Sequence, residues 1–189
     1  MYGILGEASS DVATLVVLIR RLADDHRLKI KPKGYDGCGE MLRKGANQLQ
    51  LFRRLGCNRF IVCHDSDGPD PAPKRREVQN RIVKPSGVGD DCCIVVPVQE
   101  LEAWILADIE CACKIFPSWR PLAIQNPEGI SRPKEYLEKL SRQSSHRPRY
   151  SHATHNEKMA EQLDHAKVEQ KCPSFRVLAE FVRSGTRRV

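Results

Sequence analysis

Apolar residues recur along this chain in two alternating rhythms. Residues 2–6, YGILG, form a short, nearly unbroken apolar run, as expected of a strand covered on both faces. In SSDVATLVVLIRRLADD the apolar positions Val12, Leu15, Val16, Leu18, Ile19 and Leu22 fall at helical spacing. Ser9 or Ser10 suits the N-cap and Asp11 the first turn. LKIKPKG alternates apolar and basic residues and predicts a second strand, near a sheet edge because Pro32 has no N–H to donate. GEMLRKGANQLQLFRRLG predicts an amphipathic helix stopped by Gly56. RFIVCHD is the third strand, PAPKRREVQNRIVKP a helix opened by prolines, CCIVVPV the fourth strand and QELEAWILADIECACKIF the next helix.

Strand–helix alternation with short connections predicts an α/β fold, a Rossmann-like, mainly parallel four-stranded sheet flanked by helices. The pattern changes after Phe116. Residues 1–116 read as the α/β domain and 117–189 as a basic helical C-terminal extension packed on it. That extension opens with the proline-rich PSWRPLAIQNPEGISRP. Short helices are expected at 133–142, 156–165 and 174–184, and SRQSSHRPRYSHATH reads as a polar, mobile loop.

Composition narrows the setting. No apolar run approaches the ~20 residues of a membrane helix. MYGILGEASSD has neither a basic n-region nor a long apolar h-region, so no signal peptide is expected. The eight cysteines form no CxxC pair, and several lie in apolar runs such as FIVC. They read as small buried thiols in preference to a zinc site, a reading that fits a reducing cytoplasm. Net charge is +7, unevenly spread: residues 130–189 hold 13 Lys and Arg against 7 Asp and Glu, the preceding residues 18 against 17. A basic C-terminal third suits a polyanion such as nucleic acid, or simply a solvated helical surface.

The chemistry-bearing residues fall at strand ends. In a parallel α/β sheet, ligands bind outside the carboxyl ends of the strands. Glu7 ends the first strand, Asp65 and Asp67 end the third, and Glu100 and Glu102 follow the fourth. Asp11, one helical turn after Glu7, is expected at the same mouth. Converging carboxylates need positive charge between them, and a hard divalent cation with oxygen ligands supplies it. Glu100 and Glu102 are two apart on a predicted helix and do not share a face. One of them is expected to point in, with Glu102 preferred because the following Trp104-Ile105-Leu106 must turn to the core.

The order GILGEASSD … FIVCHDSD resembles the Toprim domain of topoisomerases, primases and overcoming-lysogenisation-defect (OLD) nucleases. Glu7 matches its Glu after strand one, and Asp65 and Asp67 match its D-x-D after strand three. Asp11 matches the second acid of the OLD-type branch, while Ala8 replaces a usual Gly. VPVQELEAWILAD resembles the E-x-E-x-W helix of a small Toprim-related family, and RPKEYLEKL, NEKMAEQLDHAKVEQKCPSF and LAEFV resemble that family's C-terminal pattern, so the similarity covers nearly the whole chain. Proteins of this kind occur beside ATPase genes in bacterial anti-phage loci. The resemblance therefore implies a Toprim-type nuclease, with nucleic acid as substrate and an ATPase encoded alongside as a partner.

What the resemblance implies about the site is specific. Mg2+ or Mn2+ held by Glu7, Asp65 and Asp67 would polarise a phosphodiester and lower the pKa of an attacking water, with Asp11, Glu100 or Glu102 holding a second ion. Lys134 is the expected cation for the pentavalent phosphate, since OLD-like sites carry a lysine. Lys139, Arg142, Arg147 and Arg149 are expected phosphate contacts. His152 stands where relatives have a lysine, and with His155 it forms an H-x-x-H without further ligands nearby. Tyr150 and Trp119 suit either base stacking or packing. His64, beside Asp65, suits a role orienting a carboxylate or acid–base work.

Three other readings compete. A haloacid-dehalogenase-type phosphatase also uses a D-x-D, but on its first strand, and Pro69 follows here. An EF-hand loop fails on spacing. A non-catalytic module binding nucleic acid or an ATPase fits the basic third as well as an enzyme does.

Overall fold

A computed structural model describes residues 1–143 and 149–186. Four strands, β1 (Tyr2–Gly6), β2 (Ile30–Gly34), β3 (Arg59–Cys63) and β4 (Cys92–Val95), form one sheet of order β2-β1-β3-β4. Every pairing is parallel, with Tyr2 opposite both Ile30 and Arg59, and Phe60 opposite Cys92. The central β1 is buried throughout, whereas β2 lies at an edge, where Pro32 leaves no ladder bond unmade.

Period-two alternation sends successive side chains to two cores. Ile4, Ile61, Cys63, Cys93 and Val95 meet α1 (Ser9–Leu22) on one face. Leu5, Phe60, Val62 and Ile94 meet α2 (Cys38–Arg54) on the other, together with Val78, Ile82 and Val83. Those last residues belong to α3 (Ala72–Val78), a π-helical turn over Gln79–Val83, and the short α4 (Lys84–Ser86). The helix predicted after β3 is therefore present but locally widened.

The helix predicted over residues 99–116 is shorter than its pattern suggests. It runs as α5 (Glu102–Ala107), breaks at Asp108 (φ −125°, ψ 52°) and continues as a 3-10 stretch, Ile109–Lys114. The break is fixed from outside: the Asp108 carboxylate accepts from the Asp164 amide (2.9 Å) and pairs with Lys167 Nζ (3.0 Å).

Beyond it lie α6 (Pro133–Gln143), α7 (His152–Ala160), α8 (His165–Lys171) and α9 (Pro173–Thr186). The single helix expected at 156–165 is in fact the end of α7 and the start of α8. Asp164 separates them, its side chain capping α8 by accepting from the Ala166 and Lys167 amides. The polar stretch expected as a loop already contains the last residues of α6 and the first of α7.

These C-terminal helices share the main core. Ala160, Leu163, Val168, Phe175, Leu178 and Val182 pack with the α1 face of the sheet. Trp104 is fully buried there, edge-on to Phe175 (5.2 Å), and donates to Ser174 Oγ (2.8 Å). Arg59, at the foot of β3, lies over the Phe181 ring (4.0 Å) and donates to the Phe181 carbonyl. A third cluster under α5, α6 and α7 holds Phe116 stacked on Trp119 (4.3 Å), with Tyr150 and Met159. Tyr150 and Trp119 are thus packing residues, not exposed platforms for bases. Among the described residues, no helix is long and apolar enough to cross a membrane.

Candidate metal centre

The chain that leaves β1 is stitched to the chain that leaves β2. The Tyr35 amide donates to the Gly6 carbonyl (3.2 Å) and the Gly37 amide to the Glu7 carbonyl (2.9 Å). Gly34 makes this closeness possible: a Cβ there would stand 2.6 Å from Ser9 N and Cα. Gly37 turns the chain with φ +98°, a conformation open to glycine. Cys38, the first residue of α2, is thereby delivered beside Glu7.

Glu7 is held from the third strand. Its Oε1 accepts from the Asp65 amide (2.8 Å) and lies 2.7 Å from His64 Nδ1, which also lies 2.7 Å from the Asp65 carbonyl. Both neighbours of Nδ1 are acceptors, so Nδ1 carries the proton. Burial opposes a charged imidazole, but the hydrogen bond and charge of Glu7 outweigh it and raise the His64 pKa. Among the described residues, Nε2 of this fully buried ring has no hydrogen-bond partner.

The two acids of the D-x-D part company. Asp65 Oδ1 accepts from the Leu101 amide (3.1 Å). Desolvation, then the charges of Asp11, Glu102, Glu7 and Glu100, push its pKa well above the carboxylate range. Asp67 sits in the left-handed region (φ +51°), its side chain 62% exposed and paired with Lys74 Nζ (3.3 Å). The β3 strand has ended four residues earlier, so strand spacing no longer aligns the pair.

Glu100 and Glu102 both join Asp65. Glu100 precedes α5, so the helical face argument does not govern it. Its Oε2 accepts from the Lys134 amide (2.9 Å), and its Oε1 lies 3.8 Å from Lys134 Nζ. Glu102, 2% exposed, accepts from Asn156 Nδ2 (3.0 Å), and Asn156 Oδ1 accepts from the Tyr150 hydroxyl (2.6 Å). Desolvation would lower the Lys134 pKa, but the charges of Glu102, Glu100, Asp65 and Asp11 raise it. Asp11 is pushed up by desolvation against the pull of Lys134, with Glu7 adding to the rise.

The result is a centre with two lobes. Asp11, Asp65, Glu100 and Glu102 surround Lys134 in one; Glu7, Cys38 and His64 gather beside Lys74 and Asp67 in the other. Glu7 acts on both, since its charge is felt by Asp11, Asp65 and Lys74. Among the described residues, Glu7, Cys38 and His64 form the one trio of His, Cys, Asp or Glu side chains whose donor atoms all lie within 4.8 Å of one another. The oxygens of the first lobe are spaced more widely around the lysine and suit a hard cation by type.

The remaining sequence candidates stand apart. Lys139 and Arg142 line an open groove of about 590 Å3 along α6 with Arg132, Glu135 and Glu138. Arg142 pairs there with Glu138 (3.5 Å) and Arg132 with Glu135 (3.1 Å), so part of that charge is already compensated. Arg149 is exposed, His152 opens α7, and Arg147 lies outside the described residues. His155 is buried against Phe116 (4.9 Å) and bonded to the Ser151 backbone. Desolvation first, then Lys158, lower its pKa despite that bond; it is a core residue and not half of a metal pair.

Sequence reasoning missed Cys38, Lys74, Asn156 and Tyr150 as members of the centre. Cys38 had a readable signal, because it follows a parallel strand end as Glu7 does.

A family model described as a domain of unknown function (DUF4276) matches residues 15–183. The chain belongs to this family. The DUF4276 match begins after Glu7 and Asp11 and spans Asp65, Glu100, Glu102, Lys134 and Asn156. No curated protein and no solved structure matches the chain.

Proposed function

We propose that this DUF4276 protein is a metal-dependent nuclease that hydrolyses phosphodiester bonds of DNA or RNA. The observation that carries the reading is the convergence of Glu7, Asp11, Asp65, Glu100 and Glu102 at the carboxyl end of a parallel sheet, with Lys134 among them. Carboxylates gathered this closely are costly unless a cation or a proton joins them; burial first, and then the neighbouring acids, raise the pKa of Asp65, and burial first, against the pull of Lys134 and with Glu7 adding, raises that of Asp11.

Mg2+ or Mn2+ held by Asp65 and Glu7, with Asp11, Glu100 and Glu102 as further oxygen donors, supplies Lewis acidity at a phosphate and lowers the pKa of a water. The chain's own groups do the rest. Lys134 offers its ammonium to phosphoryl oxygens once the carboxylates have another cation. Asn156 and the Leu101 amide fix Glu102 and Asp65, and His64 fixes Glu7. Lys139, Arg142 and Arg149 extend positive charge away from the centre for the nucleic-acid backbone, and His152 offers a further phosphate contact. The resemblance to OLD-type nucleases supports an anti-phage role with an ATPase partner in the cytoplasm.

One observation favours the non-catalytic alternative: Lys134 already offsets part of the acids' charge. Incubating the protein with DNA and with RNA, in Mg2+ and in Mn2+, with and without an ATPase encoded alongside, separates the two. Cleavage lost in Asp65→Asn supports the nuclease; no cleavage in any arm, with nucleic-acid binding retained, overturns it in favour of a binding module.

A further inference from the structure

The second lobe differs in kind from the first. Its donors are a thiol, an imidazole and a carboxylate, one from each of three chain segments. Cys38 opens α2, His64 follows β3 and Glu7 follows β1. Sulfur and nitrogen ligands select borderline-soft ions such as Zn2+ and discriminate against Mg2+, which prefers oxygen.

Independent observations single out these three. His64 is fully buried, and its Nδ1 faces the Glu7 carboxylate at 2.7 Å, which fixes the direction of the ring at the cluster. The Glu7–His64 contact places a hydrogen-bonding proton at the spot where a cation would go. Cys38 is half-buried, unlike the fully buried thiols Cys57, Cys63, Cys111 and Cys172, so ions can reach it.

We propose that Glu7, Cys38 and His64 form a zinc site, with the fourth position open to water or a ligand. Three protein ligands and one open position is the stoichiometry of reactive rather than purely structural zinc sites. Uptake removes the Cys38 thiol proton and moves the His64 proton from Nδ1 to Nε2, so binding releases the thiol proton. Because Glu7 also faces the carboxylate lobe, zinc here draws that residue away from a cation bound there.

The test is metal uptake by the full chain, read without any nuclease assay. Cobalt(II) is titrated as an optical stand-in, followed by displacement with Zn2+. Expected are one thiolate-bound cobalt per chain with its charge-transfer absorption, proton release in calorimetry, and no displacement of that ion by millimolar Mg2+. Cys38→Ser should abolish the absorption while circular dichroism stays unchanged; Cys113→Ser, which alters another half-exposed thiol, should keep it. Binding without the thiolate band, no binding at all, or a band that survives Cys38→Ser overturns the site.

Discussion

Asn156 Nδ2 lies 3.0 Å from Glu102 Oε1 and joins the C-terminal helices to the acid cluster. The amide is itself held by the Tyr150 hydroxyl, so α7 sets the carboxylate's direction from outside the sheet. Asn156→Leu keeps the bulk and removes both bonds. It leaves a buried carboxylate and a buried hydroxyl unpaired, and a loss of about 1–3 kcal/mol in urea unfolding is expected. Weaker divalent-cation binding at the carboxylate lobe should accompany it in calorimetry.

Lys134 and a divalent cation compensate the same carboxylates. Lys134→Met should lower Tm when no divalent ion is added, and Mg2+ should then raise Tm more than it does for the parent protein. For a chain of this size each kcal/mol moves Tm by about 2–4 °C. An equal Mg2+ response in both proteins, by differential scanning fluorimetry, would contradict the shared role.

His165 supplies the pH prediction. Burial first, then Arg21, push its pKa down to about 4 from an ordinary 6.5, and its Nε2, beside Phe175, is buried without a partner among the described residues. Between those values the unfolded chain binds a proton that the folded chain refuses, so this residue makes stability fall as pH drops from 6.5 to about 4. Below that window its contribution is flat. His165→Gln should flatten the same part of a Tm-against-pH curve by up to one proton's worth of slope.

Gly34→Ala tests the seam between β1 and β2. The added methyl meets the Ser9 backbone at 2.6 Å, so the strand end or the Glu7 loop must move. A loss of about 1–3 kcal/mol is expected from such overpacking. The substitution should weaken metal uptake more than Gly39→Ala, whose added Cβ meets nothing within 4 Å.

The strands, the helix faces and the mouth of the sheet were legible because period-two and 3.6-residue patterns are local. The details of the centre were less so, for identifiable reasons. The D-x-D spacing suggests two partners, but Asp67 lies beyond the strand, in a left-handed turn that points it to Lys74. The rule that excludes Glu100 or Glu102 holds inside a helix, and α5 starts at Glu102. Cys38 was hidden by treating eight thiols as one class. Asn156 has no local signature at all, because its meaning comes from a residue 54 positions away.

That separation has a consequence during synthesis. Glu7 leaves the ribosome first and Asn156 is added 149 residues later, roughly 7–30 s at ordinary elongation rates. Over that interval the acids emerge one strand at a time, before α7 exists to fasten Glu102. A nascent chain therefore carries the ingredients of the centre without the centre itself, and its chemistry waits on the last third of translation.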